Sequence, residues 1–114
     1  MYWRKKLILG SQPRSKKWTS VRKEFLKKNP SCAACGNKKL ADLEVHHIKP
    51  YWVFPFLELV EENLIVLCEG PANCHFVWGH LLNWKAWNPK VKSDAKAFMQ
   101  KIKQRQTNDV ESKE

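Results

Sequence analysis

All four cysteines and all four histidines of the chain fall between residues 32 and 80. Cys32 and Cys35 form a C-x-x-C in "CAACG", and Cys68 and Cys74 form the looser pair "CEGPANC". In a C-x-x-C followed by glycine, two thiolates converge on one ion and the glycine takes a backbone angle that a side chain resists. Two close pairs in a chain without an export signal favour a tetrahedral four-cysteine zinc site over disulfides, with the wide second pair keeping the disulfide reading open. Zinc held there would tie residues 32–35 to 68–74 and would be structural, because four protein ligands leave no position for water. The histidines include the adjacent pair His46-His47 in "LEVHHIKP". Neighbouring side chains of a strand point to opposite faces, so the two imidazoles cannot do the same job. One can serve a metal while the other does something else, or one is simply buried.

The elements that must position these residues follow from periodicity. A helix is expected over 16–28, with Trp18, Val21, Phe25 and Leu26 on one stripe and Asn29-Pro30 ending it. "LEVHHI" and the apolar "NLIVLC" read as strands. The connection between them carries the aromatic "YWVFPF", expected to pack over the core, and the acidic "ELVEE". "HFVWGHLLNWKAW" reads as a helix ended by Asn88-Pro89. A last helical stripe, Val91, Ala95, Phe98 and Ile102, runs to about Gln106. The expected class is α+β: a small ββα-metal hairpin-plus-helix core at about 43–87, stapled by the four-cysteine zinc site and flanked by N- and C-terminal helices. One domain over 16–106 follows a basic arm, 1–15, and precedes a frayed tail, 107–114.

Charge narrows the partner. The chain of 114 residues carries a formal +10, and ten Lys/Arg against one Glu lie in residues 1–28. Residues 29–88 hold four against six acids, and 89–114 hold seven against four. Two basic arms therefore flank a slightly acidic middle, a distribution suited to a polyanion, nucleic acid being the commonest. Phosphate contacts are expected from Arg4, Lys5, Lys6, Arg14, Lys16 and Lys17, with Lys90 and Lys92 from the other arm. "YWVFPFLELV" is too short and too interrupted to span a bilayer, and "LIL" is too short for a signal core. The expectation is an intracellular, cytoplasmic protein with no membrane partner.

The combination "CAACG … LEVHHIKP … ENLIVLCEGPANCH" resembles the HNH endonucleases of the ββα-metal group, in their zinc-containing, phage-like branch. The resemblance covers residues 32–75, with the helix to about Trp87 and a family-like lead-in helix at 16–28. It implies that His47 is the general base and that His46 and His75 hold one catalytic divalent metal, Mg²⁺, Mn²⁺ or Ni²⁺. It also implies that Asn63 orients His47 through a side-chain hydrogen bond. The substrate would be double-stranded DNA, gripped mainly by its phosphates with weak sequence preference and cut to a 5′-phosphate and a 3′-hydroxyl. A phage-encoded chain of this kind would work in the host cytoplasm. Relatives carry a further metal-binding histidine at i+4, a register that Gly79 occupies here. His80, at i+5, lies about 140° round a regular helix from His75 and joins the metal only if the helix is distorted at Gly79. A zinc-stabilised nucleic-acid-binding module without catalysis uses the same cysteines and arms; only the enzyme needs His47.

Overall fold

The computed structural model describes residues 14–112, with side chains to Arg105. Helix α1, Trp18–Lys28, buries Phe25 and packs Trp18, Val21 and Leu26 against the core. Lys27 and Lys28 complement its C-terminal dipole, and the Asn29 side chain closes it by donating to the Phe25 carbonyl. Strands β1, Leu43–His47, and β2, Leu64–Cys68, pair antiparallel in the register Leu43↔Cys68 through His47↔Leu64. All of β2 is buried, which explains its unbroken apolar run. Outside the ladder, the turn bearing Cys32 and Cys35 donates from Ala33 N–H to the Val66 carbonyl, and Gly36 takes φ +82°, as the glycine after C-x-x-C requires. Helix α2, Val91–Ser112, covers the hairpin with Val91, Ala95 and Phe98, and extends beyond the end near Gln106 that its apolar stripe suggested.

The fold class is the expected one: a small α+β chain built on a two-strand antiparallel hairpin, with helices and a cluster of four cysteines. Among the described residues, no helix is long and apolar enough to cross a membrane.

Two local expectations fail. The helix expected over 75–87 is a single π-helical turn, His75–Gly79, followed by irregular backbone. Leu81 and Leu82 both have positive φ, and Asn88 caps the broken end by donating from its N–H to the Gly79 carbonyl and from Nδ2 to the Trp78 carbonyl. Asn88 thus ends one element and, by accepting from the Lys90 N–H, leads into α2. The aromatics of the 48–63 connection do not all pack over the core. Trp52 and Phe56 are 58% and 75% exposed, because Pro55 opens a tight 3₁₀ turn, Pro55–Leu57, that leaves Phe56 outside.

Candidate metal centres and catalytic site

The hairpin and the turns at its ends gather the cysteines and three of the histidines into two separate clusters. Cys32, Cys35, Cys68 and Cys74 place their sulfurs within 4.8 Å of one another, and the Cys35 and Cys68 sulfurs are 3.6 Å apart. The wide second pair closes on one point because the intervening loop is folded tightly. Asn73 takes φ +45°, and Gly70 approaches Asp42 so closely that a Cβ would lie 2.6 Å from Oδ2. All four are free thiols, three of them buried. The Cys74 thiol donates toward Cys32 and holds it down at about 4, whereas burial pushes Cys35 up to about 11. Cys74, sharing its proton with Cys32, is pushed up further still. Four crowded sulfurs of which one ionises readily are a donor set suited to a thiophilic cation, and they can bind a metal such as zinc.

The second cluster is His46, His75 and His80, whose ligand nitrogens also lie within 4.8 Å. His80 is there because of the π turn: its hydrogen bonding runs i→i+5, so residues five apart come round to one side. Each pair of the three rings meets at 4.9 Å between centroids. The distortion at Gly79 on which His80 depended is present, and it brings in an imidazole that a regular helix would have turned away.

The rings carry oriented partners. His75 Nδ1 faces the Glu69 carboxylate at 2.9 Å, and His80 Nδ1 donates to the Ala86 carbonyl at 2.8 Å. Burial, reinforced by the neighbouring imidazoles, pushes the His46 pKa down to about 3, so this ring is neutral. With His75 donating to Glu69, its Nε2 lone pair faces His46 Nδ1 at 3.1 Å, a spacing that two ligands of one ion can adopt. The other nitrogen of His46, Nε2, is buried against Gly79 without a hydrogen-bond partner. Imidazoles whose nitrogens converge, two of them oriented by a carboxylate and a carbonyl, fit a divalent metal.

Gly79 is part of this arrangement. A Cβ there would stand 3.1 Å from His46 Nε2, 3.2 Å from its Cε1 and 3.2 Å from a Leu67 methyl. The Gly79→Ala variant is therefore expected to displace the His46 ring and weaken divalent-metal binding by about ten-fold or more, while global stability moves little. Calorimetric titration with Ni²⁺, beside a melting curve, checks this. Unchanged affinity would show that Gly79 does not set the position of a metal-binding His46.

His47 lies apart from that cluster, as the strand alternation demands. Its ring packs on Trp18 at 4.4 Å between centroids, and its Nε2 lies 2.9 Å from the Glu58 carbonyl. Nε2–H donates there, which leaves Nδ1 with the lone pair. Burial is the main cause of a pKa below the usual histidine value. Glu58 is itself buried, and its carboxylate accepts from the Ser15 N–H at 3.0 Å and from Arg14 at 3.3 Å.

Asn63 does not reach His47. Its side chain clamps Lys49 instead, accepting from the N–H at 2.9 Å and donating to the carbonyl at 3.1 Å. Asn63 stands where the 48–63 connection returns, and the Ile48 N–H also donates to its carbonyl, so it pins the end of β1 rather than the ring.

Of the expected phosphate contacts, Lys16 and Lys17 are exposed beside the start of α1, and Lys90 and Lys92 lie at the start of α2. Lys92 donates to the Glu62 carbonyl. Arg14 turns inward, with its guanidinium over the Tyr51 ring at 4.4 Å as well as on Glu58. Arg4, Lys5 and Lys6 lie outside the described residues. Sequence reasoning missed Glu58, Glu69 and Trp84. Glu58 alone left a signal, as a single acid within an apolar run.

The hairpin and its end turns thus carry one cluster of thiols and one of imidazoles, each able to hold a metal ion. Residues 32–76, from the first cysteine to just past His75, match the model of the HNH endonuclease family. Comparison with curated proteins and with solved structures gave no match.

Proposed function

We propose that the chain is a metal-dependent DNA endonuclease, with His47 as general base and a divalent metal held by His46, His75 and His80. One observation carries the reading: adjacent strand residues send one imidazole into a three-histidine cluster and the other onto a backbone carbonyl. The Glu58 carbonyl fixes the tautomer of His47, so Nδ1 takes a proton from water as its oxygen attacks phosphorus. Trp18 walls the ring and helps keep it neutral. The P–O3′ bond breaks, giving a 5′-phosphate and a 3′-hydroxyl. When bound, the metal supplies Lewis-acid polarisation of the phosphate and stabilises charge on the leaving oxygen. Asn63 holds the backbone just beyond His47 and so acts as a positioning residue. Zinc in the four-cysteine cluster is the structural ion. Lys16, Lys17, Lys90 and Lys92, with Arg4, Lys5 and Lys6 by their charge, supply a salt-sensitive grip on the phosphates of double-stranded DNA with weak sequence preference.

Purified protein with Mg²⁺, Mn²⁺ or Ni²⁺ is expected to nick or linearise supercoiled plasmid, and excess chelator to stop it. Plasmid left intact in every metal, yet still bound, would sink the enzyme and leave a zinc-stabilised nucleic-acid-binding module.

A further inference from the structure

Leu81 and Leu82 are consecutive, both left-handed at φ +52° and +67°, and both exposed, at 50% and 65%. Leucine is disfavoured in that region, because its Cβ crowds the following carbonyl oxygen. Neither side chain joins the core cluster, so core packing does not offset the strain.

Hydrogen bonds impose the conformation. The Leu82 N–H donates to the Phe76 carbonyl at 3.0 Å, Asn83 N–H to His80 at 3.0 Å, and Ala86 N–H to Asn83 at 2.8 Å. Trp84 then seats the loop on the histidine cluster, with its ring 5.3 Å from His75, 4.8 Å from His80 and 4.7 Å from Phe76. The result is a braced loop, fixed to two of the clustered histidines, that holds two leucines out into solvent. It lies beyond the family match, which ends at residue 76. Strain that the surroundings over-determine, next to a candidate metal centre, is where a working part is expected.

We propose that Leu81 and Leu82 form an apolar wedge that unstacks the base step beside the phosphodiester held at His46, His75 and His80. The site would thus take DNA in a locally opened form. This rests on the nuclease reading above. The occupant follows from position and charge. Leu81 directly follows His80, and the Leu82 N–H bond to the Phe76 carbonyl holds the pair beside the residue that follows His75. A phosphate at the histidines therefore brings its flanking step to the leucines. Exposed Lys85 and Lys90 bracket the loop and suit the backbone on either side of an opened step. Exposed Trp52, whose ring meets Trp87 at 6.1 Å, offers a stacking surface for a displaced base. Apolar side chains inserted between base steps kink the duplex in this way.

The test is the double variant Leu81→Gly/Leu82→Gly, since glycine adopts positive φ freely and the fold is kept. Its melting midpoint and Ni²⁺ affinity should not fall below those of wild type. Three substrates are compared: bis(4-nitrophenyl) phosphate, a fully paired duplex, and that duplex with a mismatched bubble. The variant should hydrolyse the small diester within about two-fold of wild type and cut the paired duplex about ten-fold or more slower, with most of the rate restored on the bubble. Wild-type cutting of the paired duplex by the variant would overturn the wedge. So would a loss that the bubble does not rescue, which would mean that the leucines hold DNA, a second copy or another protein without unstacking. Equal loss on the small diester would also overturn it, by placing the leucines' effect inside the metal site. A wild-type protein inert toward all three substrates would instead bring down the hydrolase reading, and the wedge with it.

Discussion

The His47→Ala variant is expected to bind DNA, to fold and to hold its zinc as the wild type does, yet to cut plasmid about 10²–10⁴-fold more slowly. The size of the loss follows from what remains. His46, His75 and His80 form a cluster to which His47 contributes no nitrogen. Metal binding and phosphate polarisation therefore survive, and only the proton acceptor is gone. Exogenous imidazole should restore part of the rate, a rescue that a merely structural role for His47 would not allow. The pH profile has a fixed sign. Burial lowers the pKa of His47, so the base is already neutral at pH 7. The rate should be flat through neutrality and fall below about pH 6.5, as the ring becomes protonated. Stability moves the same way: the unfolded chain binds the proton that native His47 resists, so acid below about pH 6.5 favours unfolding. Cleavage by His47→Ala at the wild-type rate, in any of the three metals, would remove His47 as the base.

Much of this site could be read from residue types and spacing, for reasons that also mark where the reading stopped. The cysteine pairs and "LEVHH" are local patterns whose geometry the backbone enforces: a C-x-x-C turn and a two-residue strand period leave few alternatives. The expectation that His46 and His47 part company held for that reason. The π turn was not legible, because Gly79 alone is compatible with a helix, a helix end or a distortion. What decides is a tertiary contact, His46 and Leu67 pressing where a Cβ would stand. Asn63 failed for a related reason. Its place before β2 could be read, but whether its amide meets the ring of His47 or the backbone of Lys49 depends on how 16 residues of connection return to the hairpin. Arg14 was counted by its charge, and only the folded chain turns it onto the buried Glu58 carboxylate. Exposed Trp52 and Trp84 were not legible either, since an apolar residue type does not say whether it lies in the core or at the surface.

Stripping the metal from the cysteine cluster is expected to unfold the domain. Cys32, Cys68 and Cys74 are buried, and the four sulfurs join three segments: the 32–35 turn, the end of β2 and the residue before the π turn. Structural zinc in small domains contributes about 10–16 kcal/mol of apparent binding energy at neutral pH. A whole domain has a net stability of only about 5–15 kcal/mol, so the metal-free chain has little or nothing left. Cys68→Ser should act in the same direction by removing one soft ligand from a buried position. A circular-dichroism melt with metal content measured at each step checks both, and adding Zn²⁺ back should restore the wild-type transition. An unchanged melting midpoint in protein shown to be metal-free would refute a structural role for this cluster. The same experiment separates the two centres. Three imidazoles with open positions should release their ion to a mild chelator, abolishing cleavage at an unchanged melting midpoint, whereas four thiolates should yield only to a stronger one. Because His75 directly follows Cys74, loss of the second ion should also scatter the histidines. Activity would then return only when both metals are restored, zinc first.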